Sequence, residues 1–327
     1  MKLGQIGEFG LIDRIAARVT ASRQVNIGIG DDAAAVAPSP GMLTLVTTDM
    51  LVEGIHFDLA LTDARSLGRK ALSVNLSDIA AMGGNPRQAL LALAIPRELP
   101  VEFLDSFIDG VLSRGTEFDV TLIGGDTCAS PSGLTISITV MGEQLPERVV
   151  SRGGARPGDL IFVTGTLGDS ALGLELLRRG IRDGGPVTRH LDPAPRVREG
   201  VALAATGLPT AMIDVSDGLL ADLGHILRLS QVGACLELAQ LPLSESFTAE
   251  GQGSSSDPFG LALSGGEDYE LLFTAPPSAE AAIRSLLASH ATLVTVIGHI
   301  TTAGELRISA PDGGEYRPQR QGYNHFQ

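Results

Sequence analysis

Apolar positions recur at helical spacing over residues 11–20 (LIDRIAARVT) and again from Ala64 to Met82 (ARSLGRKALSVNLSDIAAM). Between them LTLVTTD, from Leu43, is a short β-branched run that stops at an acid. These predict two helices with a strand between. Gly83-Gly84, followed by Pro86, ends the second helix. ALLALAIP predicts the next strand and residues 101–115 a helix; VTLIGGDT predicts a strand running into a glycine turn, and GLTISITVMGE an alternating strand. From Leu145 to Gly158 the pattern lapses into QLPERVVSRGGARPGD, which places a domain boundary and divides the chain into 1–145 and 146–327. A second set then begins. DLIFVTGTLGDSALGLELLRRG reads as strand, tight turn and helix, AMIDVSDGLLADLGHILRLS repeats that grammar, and GEDYELLFTAP and VTVIGHI supply later strands. EGQGSSSDP near residue 250 reads as an exposed loop. The expected fold class is α/β with mixed sheets, and the lack of a short-period repeat argues against a solenoid.

Composition narrows this picture. A chain of 327 residues exceeds what one hydrophobic core usually spans, and 43% hydrophobic with 19% charged residues can fill two. The formal charge of −14 argues against a nucleic-acid partner, and an anionic ligand would need a metal to offset the repulsion. Cys128 and Cys235 are too few for a disulfide framework, lie outside any CxxC spacing, and read as buried thiols. The opening MKLGQIGEFG lacks the apolar core of a signal peptide, and no later run is long and apolar enough to span a bilayer. The expectation is a cytoplasmic protein without a membrane partner.

Acids punctuate the apolar pattern. Asp31 and Asp32 stand in GIGDDAA, Asp49 in TTDMLVEGIHF, Asp78 in VNLSDIAAMGG, Asp126 in LIGGDT, and Asp214 and Asp217 in IDVSDG. Several follow an apolar strand or sit inside an apolar helix, where a bare charge is costly to desolvate. Hard oxygens with Thr47 and Thr48 beside them suit Mg²⁺, and the His and Cys sets that hold zinc are lacking. Taken singly, Asp32 or Asp49 reads equally as a helix cap or turn residue, and Asp217 as the cap of the helix LLADLGHI. Asp78 is different, since Asn75 precedes it by three residues on the same helix face among Leu72, Val74, Leu76, Ile79 and Met82.

The glycine motifs GIGDD, IGGDT, SRGGARPGD and TGTLGDS serve either as turns or as places where backbone N–H groups meet phosphate. The chain contains neither the P-loop GxxxxGK[ST] nor the HRD and DFG motifs of protein kinases. Arg152 is a candidate phosphate clamp or a plain surface arginine.

In order along the chain, GIGDDAA, TTDMLVEGIHF, KALSVNLSDIAAMGG, LIGGDT, SRGGARPGD, VTGTLGDSALGL, IDVSDGLLADLGH, LSGGEDYELLF and GYNHF closely resemble the motifs of thiamine-monophosphate kinases, and they cover almost the whole chain. The wider superfamily resembled is that of aminoimidazole ribonucleotide synthetase. The resemblance implies two α/β domains, a homodimer paired through the N-terminal half, ATP as co-substrate and several Mg²⁺ ions. Carried over residue by residue, it implies metal ligation by Asp32, Thr47, Thr48, Asp49, Asp78, Asp126, Asp214 and Asp217, with Asp49, Asp78 and Asp126 as the metal cradle of the reaction. Nucleotide contacts fall on Gly124, Gly125, Arg152 and Ser216, with Phe118 where the family often has a stacking Tyr. His56, Glu267 and Tyr323 fall on contacts to thiamine monophosphate, whose cationic thiazolium and aromatic pyrimidine suit a carboxylate and a phenol ring.

The expected reaction is direct in-line transfer of the γ-phosphoryl group of ATP to the acceptor's phosphate. With a second pKa of about 6 the monoester is already a nucleophile near neutral pH, so no general base is assigned. Two other readings stand beside it. One is another ATP-dependent member of the superfamily, such as a purine-pathway ligase, selenophosphate synthetase or a hydrogenase-maturation protein; the other is a non-enzymatic divalent-cation binder. The N-terminus has no Cys of the selenophosphate-synthetase kind, and the chain ends in NHFQ without a cysteine acceptor.

Overall fold

The protein was analysed as a computed structural model, which describes residues 3–323 except 21, 23, 255, 256, 258, 303 and 321. The chain divides into two compact units: residues 1–79 with 84–146, and residues 80–83 with 147–327. Among the described residues no helix is long and apolar enough to cross a membrane.

Unit 1 runs α1 (Leu3–Ala16), β1 (Val25–Ile27), β2 (Ala35–Val36), β3 (Leu43–Val52), α2 (Ala64–Ala81), β4 (Asn85–Pro96), α3 (Val101–Glu117), β5 (Thr121–Ser130) and β6 (Thr135–Gln144). The carboxylate of Asp63 starts α2 by accepting the backbone N–H of Ser66 at 2.9 Å and its hydroxyl at 2.7 Å. Gly83 stops it: at φ 71° it takes the left-handed turn that lets Gly84 N–H reach the carbonyl of Ile79 at 2.8 Å. The main sheet has the order β3-β6-β4-β5, with β4 and β5 parallel and the other pairs antiparallel. Period-two alternation buries Leu45, Leu51, Leu91, Leu93, Ile136, Ile138 and Val140, while α2 and α3 bury Leu72, Leu76, Ile79, Leu104, Phe107 and Ile108. Val46 and Met50, on the alternate positions of β3, are 63% and 59% exposed.

Unit 2 runs β7 (Leu160–Thr164), α4 (Asp169–Arg178), α5 (Gly185–Leu191), α6 (Val197–Thr206), β8 (Ala211–Asp214), α7 (Leu219–Ser230), β9 (Gly233–Glu237), α8 (Glu245–Ser254), α9 (Gly260–Ser264), β10 (Leu271–Ala275), α10 (Glu280–Ser289), β11 (Val294–Thr301) and β12 (Leu306–Ser309). Its sheet has the order β12-β9-β11-β7-β10-β8, antiparallel except for the β12–β9 pair. At its centre Phe162 and Phe273 stack with centroids 5.1 Å apart.

Three expectations are corrected. No glycine turn follows VTLIGGDT, because β5 continues through Gly124-Gly125 to Ser130, and a Cβ at Gly125 would lie 1.8 Å from the Leu91 carbonyl oxygen. Gly125 therefore serves close strand approach beside an irregularity in the β4–β5 register. EGQGSSSDP is not all loop, since α8 extends to Ser254. Cys128 is exposed on the edge strand β5 and Cys235 is half-buried; neither is a fully buried thiol.

Candidate active site

In unit 1 the register of β3 against α2 gathers residues that lie 26 and 31 positions apart. The Asp49 backbone N–H donates to Asn75 Oδ1 at 3.1 Å, and the Thr47 hydroxyl donates to Asp78 Oδ2. Asn75 is itself buried and spends its amide on the Ala71 carbonyl at 3.3 Å, which fixes its rotamer. The Asp49 carboxylate receives no hydrogen-bond donor or cation among the described residues. Burial first, and the neighbouring Asp78 carboxylate second, push it up to about 6. Asp49 thus brings negative charge on hard oxygens that no neighbouring side chain among the described residues offsets, and it fits a divalent cation. Among the described residues no three His, Cys, Asp or Glu side chains form a group that could hold an ion by themselves. A pair of carboxylates agrees with the habit of Mg²⁺, which binds through one or two of them and completes its shell with phosphate oxygens and water.

The other unit 1 candidates lie elsewhere on its sheet and loops, Asp126 on β5 at the opposite edge from β3. Thr48 donates to the Ile138 carbonyl at 3.2 Å and accepts from Thr139 at 2.9 Å. Asp32 is exposed beside Asp31, which accepts its backbone N–H at 2.9 Å. Asp126 is exposed on β5, where it pairs with Ala92. Phe118 is half-buried at the C-terminal cap of α3, with the Arg114 guanidinium 6.0 Å from its ring centre. His56 follows β3 in a turn, and its Nδ1 accepts the Val52 N–H at 3.0 Å, so the ring proton sits on Nε2.

In unit 2 three segments distant in sequence converge. The backbone N–H of Glu267 donates to the Ser216 carbonyl at 2.7 Å, that of Tyr269 to Val215 at 2.8 Å, and that of Tyr323 to Asp217 at 3.0 Å. Candidates Ser216, Asp217, Glu267 and Tyr323 thus share one loop cluster, next to buried Asp214 at the end of β8. Asn324, His325 and Phe326 of the GYNHF motif lie outside the described residues. Of the five non-glycine residues with positive φ among those described, Glu267 (59°) and Tyr269 (50°) stand in this one loop. Each costs about 1–2 kcal/mol, so the surroundings hold the loop against its preference. Arg152 is exposed.

Several residues of the cluster had no signal in the sequence. Asp217 does not cap α7. Asp222 does so from inside the helix, its Oδ2 accepting the N–H groups of Ser216, Asp217 and Gly218 at 2.9, 3.1 and 3.2 Å. Burial, and then Asp217, push Asp222 up to about 7 against those donors. The Ser216 N–H and carbonyl are therefore both engaged, which leaves that residue's hydroxyl for a ligand. Glu270 is fully buried, yet it accepts Arg196 Nε and Nη2 at 2.6 Å each, Arg189 at 3.1 Å and the Thr164 hydroxyl at 2.7 Å. Gly165 makes room for it, because a Cβ there would lie 2.1 Å from Glu270 Oε1. An acid in GEDYE was visible, but its partners 74 and 81 residues away were not.

Known proteins match the chain in both of its units. Residues 30–144 match the AIR synthase related protein N-terminal domain and residues 156–310 the C-terminal domain. The thiamine-monophosphate kinase of Escherichia coli K12 is 41% identical over 98% of both chains. The crystal structure of thiamine-monophosphate kinase from Stenotrophomonas maltophilia K279a is 39% identical, with a TM-score of 0.84 over 95% of this chain and 98% of that one. A structure of AaThiL complexed with AMPPCP and TMP is 36% identical, with a TM-score of 0.78 over 100% and 99% of the two chains. Matched in both domains and along nearly its whole length by relatives of one activity, the chain belongs to the thiamine-monophosphate kinases within the AIR synthase related proteins.

Proposed function

We propose that this phosphotransferase moves the γ-phosphoryl group of ATP directly onto the phosphate of thiamine monophosphate, using Mg²⁺ held by the unit 1 acids. The carrying observation is the Asp49–Asp78 pair, negative and without a basic partner beside Asp49. Bound there, Mg²⁺ would offset the repulsion between two anionic reactants. The cradle we assign centres on Asp49 and Asp78, with Asp126, Asp32, Thr47 and Thr48 as further oxygen donors in unit 1 and Asp214 and Asp217 in unit 2. Gly124, Gly125 and Phe118 in unit 1, and Arg152 and Ser216 in unit 2, serve the nucleotide. His56 presents its Nε2–H, and Glu267 and Tyr323 a carboxylate and a phenol, to the thiamine phosphate.

No side chain is needed as base or nucleophile, because the acceptor brings its own ionised oxygen and positioning suffices. The readings as another superfamily enzyme or a passive cation binder lose to the whole-length similarity to kinases of this one acceptor. The outward face of β3, with Val46 and Met50, supports a homodimer, since an exposed apolar edge strand invites a partner. The cytoplasm is the proposed compartment.

A coupled assay of ADP release with thiamine monophosphate against thiamine, with and without Mg²⁺, tests the reading. ADP release that needs both the phosphorylated acceptor and the metal is expected; equal rates without acceptor would sink it. Direct transfer predicts inversion at a chiral γ-phosphorus, and light scattering predicts two copies per particle.

A further inference from the structure

The loop 267–270 carries three acids in four residues, and α4, α5 and the segment after them supply a different partner for each. Asp268 accepts the backbone N–H groups of Gly168 at 2.8 Å and Ser170 at 3.3 Å. Glu270 takes Arg189 and Arg196. Glu267 meets His190, whose Nδ1 lies 3.4 Å from Oε2 and 3.1 Å from the Ser170 hydroxyl. Nδ1 thus stands between a hydroxyl and a carboxylate, and with the proton on Nδ1 the ring and the Glu267 carboxylate attract.

His190 is buried, and its place is set by the closeness of α4 and α5. At Gly173 a Cβ would lie 2.1 Å from the Pro186 carbonyl oxygen and 3.0 Å from His190 Cβ, so the ring is delivered by backbone packing. The backbone of Glu267 is fixed by its bond to Ser216, but a glutamate has three further torsions that this bond does not set. The Glu267 side chain is 28% exposed, enough for a ligand to reach it.

We infer that His190 is a positioning residue: with the proton on Nδ1, it holds the Glu267 carboxylate in one rotamer ready for the cationic part of the acceptor. The inference rests on the assignment of Glu267 to thiamine monophosphate. Holding the carboxylate beforehand removes an ordering cost at binding, so the contribution appears in acceptor affinity and not in turnover.

The test measures kcat and both KM values for the full-length enzyme, with melting curves, in His190→Ala, His190→Asn, Glu267→Gln and the His190→Ala/Glu267→Gln double variant. Glu267→Gln and His190→Ala are each expected to raise KM for thiamine monophosphate about tenfold, with kcat and KM for ATP within about twofold of wild type. His190→Asn, whose amide nitrogen takes the place of Nδ1–H, should recover most of the loss, and the double variant should be no worse than Glu267→Gln. If His190→Ala fails to fold, His190→Gln replaces it, because its donor is displaced from the Nδ1 position. An unchanged acceptor KM in His190→Ala beside a raised one in Glu267→Gln overturns the inference alone. So does an effect falling equally on both substrates, or one that Asn does not recover. An unchanged acceptor KM in Glu267→Gln overturns the assignment of Glu267 and the inference with it.

Discussion

Glu270 in unit 2 and Asp49 in unit 1 both stand where water reaches poorly, and their surroundings are opposite. Glu270 is fully buried beside two arginines and a threonine hydroxyl, and both of its oxygens are satisfied. Asp49 faces another carboxylate and is pushed up to about 6. A carboxylate neutralised by its own chain belongs to the fold, whereas one left against a like charge stores affinity for a cation from outside. The comparison separates the acids of this protein better than burial does, since Glu270 is the more buried and the less available.

The largest effect should come from breaking the satisfied cluster. Glu270→Gln removes the buried counter-charge beside Arg189 and the nearer of the two beside Arg196, which keeps Glu199 at 3.4 Å, and should cost about 3–5 kcal/mol of stability, read by urea unfolding. A loss under 1 kcal/mol would show that the cluster is not the support described here. The opposite result is expected where Asp49 stands against a like charge. Asp49→Asn and Asp126→Asn should each lower kcat about a hundredfold, roughly 2.7 kcal/mol, while melting temperatures hold or rise. Near-normal turnover of both at low Mg²⁺ would remove the metal cradle.

Asp268 lies between the two cases. It has two backbone donors, but burial first, with Glu270 and Asp169 adding to it, pushes it up to about 8. A folded-state value above the unfolded one means stability that is full below about pH 4 and is lost as pH rises through about 8. Wild type minus Asp268→Asn should therefore fall with a slope of at most about 1.4 kcal/mol per pH unit across that window. A difference that is flat or rises would show that the N–H donors outweigh burial. The smallest change is expected in water. Glu280, paired with Arg284 at 2.8 Å on the exposed face of α10, should cost no more than about 0.5 kcal/mol when changed to Ala, measured by the same unfolding curves.

Much of the fold was legible because its signals are local. The alternation of β3 and β6, the helical spacing of α2 and its Gly83-Gly84 stop each reside within a few residues. Where a local sign misled, a distant neighbour had overruled it: Gly124-Gly125 looked like a turn, but Leu91 on the adjacent strand requires a residue without a side chain. The acids of GIGDD, TTDM, LSDIA, GGDT and IDVSDG stood out by their apolar neighbours in sequence, yet the fold leaves Asp31, Asp32 and Asp126 exposed and withdraws Asp49, Asp78 and Asp214 from water.

By itself the sequence determined the elements its periodicity marks, such as β3, α2, β4, α3, β7, α4, β8 and α7, and the motifs that tie this chain to a family of phosphate-acceptor kinases, while β1, β2, α5, α6, β9, α10 and β12 carried no such mark. Only tertiary structure decided which acid is satisfied: Thr47 reaches Asp78, Arg196 reaches Glu270 and His190 reaches Glu267 across 31, 74 and 77 residues. Local preference acts over about four residues of chain. Pairings over such spans follow from strand register and helix packing, and those exist only once the whole unit has closed around its core.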